Sequence, residues 1–219
     1  MQQNRNYFKE LEGLIAGLEG TVPKLLLHAC CAPCSSAVLE YLAPHFRIYL
    51  LYYNPNIAPR AEYQKRLEEL RRLLCEMPLP RPVELLPCEY RGEDFVRMAR
   101  GLEAEPEGGA RCMACYRLRL REAAIAARDH QMDYFTTTLS ISPLKNARAL
   151  NQIGEELAAE FGVRHLPSDF KKREGYKRSI ELSRQYGLYR QDYCGCVYSR
   201  VQREQERREG KGAALAAGS

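Results

Sequence analysis

The sequence predicts a doubly wound α/β domain, a parallel sheet with helices on both faces. Three observations carry that expectation. Short apolar runs at 24–29 (KLLLHA), 48–53 (IYLLYY) and 134–138 (YFTTT) alternate with longer segments whose apolar residues recur every three or four positions. Turn or helix-start chemistry closes each run, as at Asn54-Pro55-Asn56. A cluster of thiols, Cys30, Cys31 and Cys34, follows the first run directly, where ligands bind in such sheets, beyond the carboxyl ends of the strands.

The elements follow in order. Residues 1–20 read as an N-terminal helical extension, and 21–200 as a single α/β catalytic domain with a basic C-terminal helical part. After the first strand, Ser35 and Ser36 supply capping chemistry for a helix through Ala37, Val38, Tyr41 and Leu42. After the second, Tyr63, Leu67, Leu70, Leu74 and Met77 mark a helix. Val83 to Leu86 is a short third strand, and Phe95, Met98, Ala99 and Leu102 mark another helix. Cys112 and Cys115 lead into a helix reaching about Ala127. Ser142-Pro143, as N-cap and first-turn proline, is expected to start the helix that carries Leu150, Ile153, Leu157 and Phe161. Val163 to Leu166 is a fifth strand, and 201–219 drifts into low complexity and is expected to be a disordered tail.

A chain of 219 residues can bury a sizeable core without covalent staples. Residues 1–20 are polar and show no secretory leader, and no stretch approaches the roughly 20 apolar residues of a membrane span. The expectation is a cytoplasmic protein with reduced thiols and no membrane partner. An odd count of nine cysteines also argues against a complete disulfide framework. Lys and Arg exceed Asp and Glu by 33 to 28, and the excess is uneven. Residues 171–190 hold Lys171, Lys172, Arg173, Lys177, Arg178, Arg184 and Arg190 against Glu174 and Glu181, with Tyr176, Tyr186 and Tyr189 interleaved. Such a stretch suits a phosphate backbone and unstacked bases, or equally a solvated helix face.

Seven of the nine cysteines fall in three clusters: Cys30, Cys31 and Cys34; Cys112 and Cys115; Cys194 and Cys196. Cys34 is expected near a helix N-terminus, which favours its thiolate. Cys112 and Cys115, three apart at a helix start, can face one ligand together. Gly195 allows a bend that lets Cys194 and Cys196 chelate a metal or close a small, easily reduced disulfide. Four thiols make a structural zinc site, but seven exceed it by three and fit an iron–sulfur cluster with others left for a second metal or redox pair. Cys75 and Cys88 read as buried or incidental, and His28 as a core histidine. No phosphate-binding or dinucleotide motif occurs.

Read together, LLLHACCAPCSS, YYNPNIAPRAEYQKR, RCMACYRLRL, DYFTTTLSISPLKN, SDFKKREGYKRS and GLYRQDYCGCVYS closely resemble the QueH-type epoxyqueuosine reductases, from about Leu25 to Ser199. The resemblance implies a nucleotide-hydrolase-like (ATP-pyrophosphatase-like) Rossmannoid domain with its Cys-rich metal site at the carboxyl ends of the strands. HACCAPCSS stands where those relatives carry SGGxDS, which removes the ATP site. It implies a two-electron removal of the epoxide oxygen of epoxyqueuosine at the tRNA wobble position, using a [4Fe-4S] cluster without cobalamin. Mapped here, Cys30, Cys31, Cys112 and Cys115 are the implied cluster ligands. Cys194 and Cys196 are either a redox-active dithiol or ligands of a second metal, iron or zinc, which Cys34 could complete. Asp192, two residues before Cys194, is the candidate acid for the departing oxygen. Lys171, Lys172, Arg173, Lys177, Arg178 and Arg190 are implied to hold the anticodon stem-loop, and an unidentified donor supplies the electrons. Two other readings are a sulfur-transferring relative of the ATP pyrophosphatases and an RNA-binding protein with structural zinc.

Overall fold

The structure is a computed structural model and describes residues 5–210. Strands β1 (Lys24–His28), β2 (Arg47–Leu51), β3 (Glu84–Leu86), β4 (Tyr134–Thr137) and β5 (Arg164–His165) form one sheet in the order β3-β2-β1-β4-β5. Every neighbouring pair is parallel; Leu26, for example, lies opposite Tyr49 on one side and Phe135 on the other. The expected α/β architecture is therefore the observed one.

The leucine run makes β1 the central strand, because a strand covered on both faces needs apolar side chains at every position. Leu25 and Leu27 enter one core, with α1 (Tyr7–Ala16), α2 (Ala32–Leu42), α3 (Arg60–Glu76) and α7 (Gly175–Gln185). Leu26 enters the other, with α5 (Ala110–Asp129) and α6 (Ala147–Phe161). A third, small cluster joins α4 (Gly92–Ala99) to α8 (Val197–Arg208) through Phe95, Ala99, Cys115 and Cys196. From β1 the chain moves to β2 on one side, while β4 pairs with β1 on the other. The crevice between the carboxyl ends of β1 and β4 is thus the topological switch point, the ligand site of such sheets.

Several boundaries differ from expectation, three of them by more than the trimming of a strand or helix end. Ser35 and Ser36 lie inside α2, where their hydroxyls donate back to the carbonyls of Cys31 (2.8 Å) and Pro33 (2.9 Å); Cys31 occupies the N-cap position. Pro33 fits the first turn because no intrahelical donor is needed there. Ser142 closes a turn by accepting from the Leu144 amide, and α6 begins later, at Ala147, capped by the Asn146 side chain on the Ala149 amide. Residues 201–208, expected in a tail, continue α8, whose polar face carries Arg203–Glu206 and Arg200–Glu204 pairs at helical spacing. Residues 209–210 close α8 in a turn, and 211–219 of that expected tail lie outside the described residues.

Candidate active site

The first thiol group is built by the turn from β1 into α2. Cys31 is extended (φ −171°) at the N-cap, and Cys34 sits in the first helical turn. The Sγ atoms of Cys30, Cys31 and Cys34 all lie within 4.8 Å of one another. Thr138, just past β4, holds this loop across the crevice: its Oγ1 accepts from the Cys30 amide at 3.1 Å and donates to Cys30 Sγ at 3.3 Å. The thiols of Cys31 and Cys34 donate toward Cys30, and with Arg119 and the Thr138 hydroxyl they hold Cys30 well below the usual thiol range. The hydrogen bond to Cys30 raises Cys31 and Cys34 in turn. The preferred thiolate is Cys30, not the Cys34 expected from the helix N-terminus, because the nearby thiols and Arg119 outweigh the helix end.

The second group faces a narrow cleft open to solvent, lined by Cys112, Cys115, Cys194 and Cys196 together with Arg119 and Lys145. Cys112 and Cys115 project from the first turns of α5. Cys194 and Cys196 approach to 3.5 Å between sulfurs, and the Cys196 thiol, with Lys145, draws Cys194 down to about 5. Cys196 is raised by Cys194, and burial pushes Cys115 up to about 11. Lys145 is almost buried, with Nζ 3.2 Å from Glu107 Oε1. Burial opposes its charge, but Cys194, Tyr116 and Glu107 favour the ammonium more strongly and raise it overall.

The Cys194–Cys196 loop is docked onto the turn that follows β2. The Ala58 amide donates to Gly195 O at 3.0 Å, and Asn56 Nδ2 and Arg66 Nη1 each reach Cys194 O at 3.4 Å. Gly195 has φ +111°, and a Cβ there would meet Ile57 Cγ1 at 2.8 Å and Arg66 Nη1 at 3.0 Å, so only glycine fits both constraints.

Among the described residues the seven clustered thiols therefore divide in two: three converge within 4.8 Å, and four line one cleft with no three of them that close. Cys34 joins Cys30 and Cys31, while Cys112 and Cys115 face Cys194 and Cys196. Asp192 is half-exposed, outside the cleft lining, and paired with Arg207. Arg178 pairs with Glu40 near the far end of α2, about 13 Å of helix rise from Cys31. Arg173 pairs with Glu12 of α1, whose Phe8 stacks on Tyr41 at that same end. Lys171 pairs with Asp169, Lys177 with Glu174, and Arg190 hydrogen-bonds Ser183. Lys172 is exposed. Cys75 is exposed on α3 rather than buried, and Cys88 is half-buried. His28 is a core residue, with Nδ1 at 2.9 Å from Thr137 Oγ1 and Nε2 at 3.0 Å from Tyr53 O.

Sequence reasoning missed Lys145, Arg66 and Arg119. For the two arginines a signal exists. Arg66 falls in the apolar register of α3 beside Tyr63, Leu67, Leu70 and Leu73, and Arg119 in that of α5 beside Cys112, Cys115, Tyr116 and Leu120. A charge on the buried stripe marks an internal partner. Lys145, on an irregular turn, has no such register.

The family model of the epoxyqueuosine reductase QueH matches residues 25–202 of this chain. A Staphylococcus epidermidis protein named epoxyqueuosine reductase QueH is 42% identical over 203 residues, covering 90% of this chain and 85% of that protein. Its Streptococcus pyogenes serotype M1 namesake is 42% identical over 183 residues, 83% and 72% of the respective chains. That of Thermotoga maritima is 33% identical over 196 residues, 87% and 95% of the two. The chain belongs to the QueH family.

Proposed function

We propose that this member of the QueH family reduces epoxyqueuosine in the crevice where its two thiol groups meet. The family's named activity makes it an oxidoreductase of queuosine biosynthesis acting on tRNA. Converting the epoxide to an alkene consumes two electrons and two protons and releases the oxygen as water, so the site must hold a redox group and a proton donor. The convergence of Cys30, Cys31 and Cys34 within 4.8 Å carries this reading.

The donor set fits an iron–sulfur cluster. Cubane clusters are held by cysteine thiolates, and these three thiols already favour a negative charge on Cys30. Beside them, the buried Arg119 Nε and Arg66 Nη2 have no hydrogen-bond acceptor. Cys30, Cys31 and Cys34 would hold a [4Fe-4S] cluster, which when bound supplies electrons and a Lewis-acidic metal. In this reading, as the family resemblance implies, the protein works without cobalamin. Cys112, Cys115, Cys194 and Cys196 offer four thiols to a second metal, iron or zinc. The 3.5 Å contact between Cys194 and Cys196 equally supports a thiol–thiolate pair that gives up two electrons and the Cys196 proton on closing into a disulfide. Lys145 Nζ, facing the cleft, holds the proton for the departing oxygen, in place of the outlying Asp192. The thiol chemistry and a tRNA substrate support a cytoplasmic location, with an electron donor of unassigned identity.

None of the described helices is long and apolar enough to cross a membrane. The deciding experiment is anaerobic purification of the wild type, Cys34→Ala and Cys115→Ala, with iron, sulfide and zinc counted. The wild type is expected to carry about four iron and four sulfide per chain beyond any second metal. Cys34→Ala should lose them, and Cys115→Ala should keep them. A fully loaded Cys34→Ala, or a colourless wild type holding zinc alone, refutes the assignment.

A further inference from the structure

Of the buried arginines, Arg66 and Arg119 lie within electrostatic reach of the thiols, and their surroundings differ. Arg66, 2% exposed, is neutralised by Glu62, with Nε 2.7 Å from Oε1. Arg119, 4% exposed, makes no ion pair among the described residues. Its Nη2 donates to Asn54 Oδ1, and Asn54 Nδ2 donates to Ala29 O at 2.9 Å. That chain ties the guanidinium to the residue preceding Cys30. Its Nε–H has no partner at all.

An ionised guanidinium in a protein interior is strongly disfavoured unless an opposite charge and hydrogen-bond acceptors compensate it. The fold supplies Arg119 with one neutral amide oxygen. The groups within its electrostatic reach are Cys30 in the first thiol group, Cys115 and Tyr116 in the cleft, and neutral His28. Arg119 therefore stands between the two thiol groups with no carboxylate partner and a free donor, its charge met only by the Cys30 thiolate. The missing partner is a negative acceptor in the crevice.

We propose that Arg119 is a positioning residue for the metal group held by Cys30, Cys31 and Cys34, balancing the charge it gains on reduction and offering Nε–H to a sulfur acceptor, so that its electron affinity is raised. This rests on the cluster assignment made above. Each electron added to a thiolate-held group makes it more negative by one unit, and a fixed cation nearby favours that form over the oxidised one. Arg66 does this less, because Glu62 already neutralises it.

The test uses wild type, R119K and R119Q, reconstituted anaerobically with iron and sulfide. Metal and sulfide are counted, and one-electron reduction is followed by dye-mediated titration with visible and paramagnetic-resonance spectra. R119Q is expected to load normally and to show an equilibrium constant for reduction at least tenfold lower, about 59 mV more negative for a one-electron couple. R119K keeps the charge without the Nε–H and is expected between the two. A loaded R119Q with the wild-type potential overturns the proposal, as does an R119K no different from R119Q. If R119Q fails to load, R119K decides, and a wild-type potential there overturns it. A wild type that takes up no cluster overturns the cluster assignment as well, and is told apart by its iron count.

Discussion

Gly195→Ala tests how the Cys194–Cys196 loop is held. At φ +111° the backbone lies beyond the small left-handed region open to L-residues, and holding a side chain in such a conformation costs about 1–3 kcal/mol. The new Cβ would also sit 2.8 Å from Ile57 Cγ1 and 3.0 Å from Arg66 Nη1. Neither neighbour yields readily: Ile57 is 1% exposed in the core, and Arg66 is pinned between Glu62 and Cys194 O. Overpacking of that kind adds about 1–3 kcal/mol. The bonds docking the loop, Ala58 N to Gly195 O and the two to Cys194 O, contribute net only about 0.5–1.5 kcal/mol each. The loop should therefore release while the sheet stays folded. Gly187→Ala is the control, since Gly187 has φ +55° and open space around its Cβ position, so only the left-handed penalty of roughly 1–2 kcal/mol applies. Expected for Gly195→Ala are loss of any metal held by the Cys112/Cys115/Cys194/Cys196 group, faster proteolysis near residue 195, retention of any metal held by Cys30, Cys31 and Cys34, and at least a tenfold drop in kcat/KM. Metal analysis, limited proteolysis and single-turnover assays on epoxyqueuosine tRNA read these out. If Gly195→Ala matches Gly187→Ala in all three, the docking argument is wrong.

Lys145→Met should lower turnover by about 10²–10⁴-fold, the usual weight of a general acid, with iron and sulfide unchanged; a normal single-turnover rate would remove Lys145 from the chemistry. His165 is packed edge-on against Phe135, with an unpartnered buried Nδ1, and burial pulls it from 6.5 to about 3. The unfolded state binds the extra proton between those values, so stability is full above about pH 6.5 and is lost as pH falls toward 3. Urea midpoints at pH 7.5 and pH 5 should fall less steeply for His165→Leu, by about 1.4 kcal/mol per pH unit in that window, and parallel slopes would contradict this. For tRNA binding, Arg178→Ala should leave the salt dependence unchanged, since Arg178 is tied to Glu40 and Glu181. Lys172→Ala, at an exposed cation, should reduce the slope by about 0.7–0.9 if it meets one phosphate; a slope lost with Arg178 instead would mean that its ion pairs open on binding.

The sheet was legible because a strand buried on both faces must be apolar throughout, and 24–29, 48–53 and 134–138 carry that mark. Where a strand stops is a matter of hydrogen bonding rather than burial. Tyr52 and Tyr53 prolong the apolar run because they are buried, yet they lie beyond β2. The helix start at Ser142-Pro143 failed for a related reason: a serine that can cap can also close a turn, and the Asn146 cap won four residues later. The thiols were legible as a set and not as groups, because Cys34 meets Cys30 through one helical turn whereas Cys112 meets Cys194 only through the docking of α8 and its preceding loop.

Charge shows the same limit and also its resolution. Counting cations picks out residues 171–190, but Arg173, Lys177 and Arg178 there are exposed and already matched by Glu12, Glu174 and Glu40. Exposed pairs of this kind carry little energy and little information. The cations that decide the site are few and buried: Arg66, Arg119 and Lys145. Two have a carboxylate each, Glu62 and Glu107. Arg111, also buried in the cleft wall, spends its Nη1 on the carbonyls of Leu102, Glu103 and Glu105. That leaves Arg119, with no carboxylate among the described residues and a free Nε–H, at the switch point of a doubly wound sheet, where ligands bind in such folds. Here the ligand is an anion built from the chain's own thiolates and whatever they hold, so the thiol loop and Arg119 form one site.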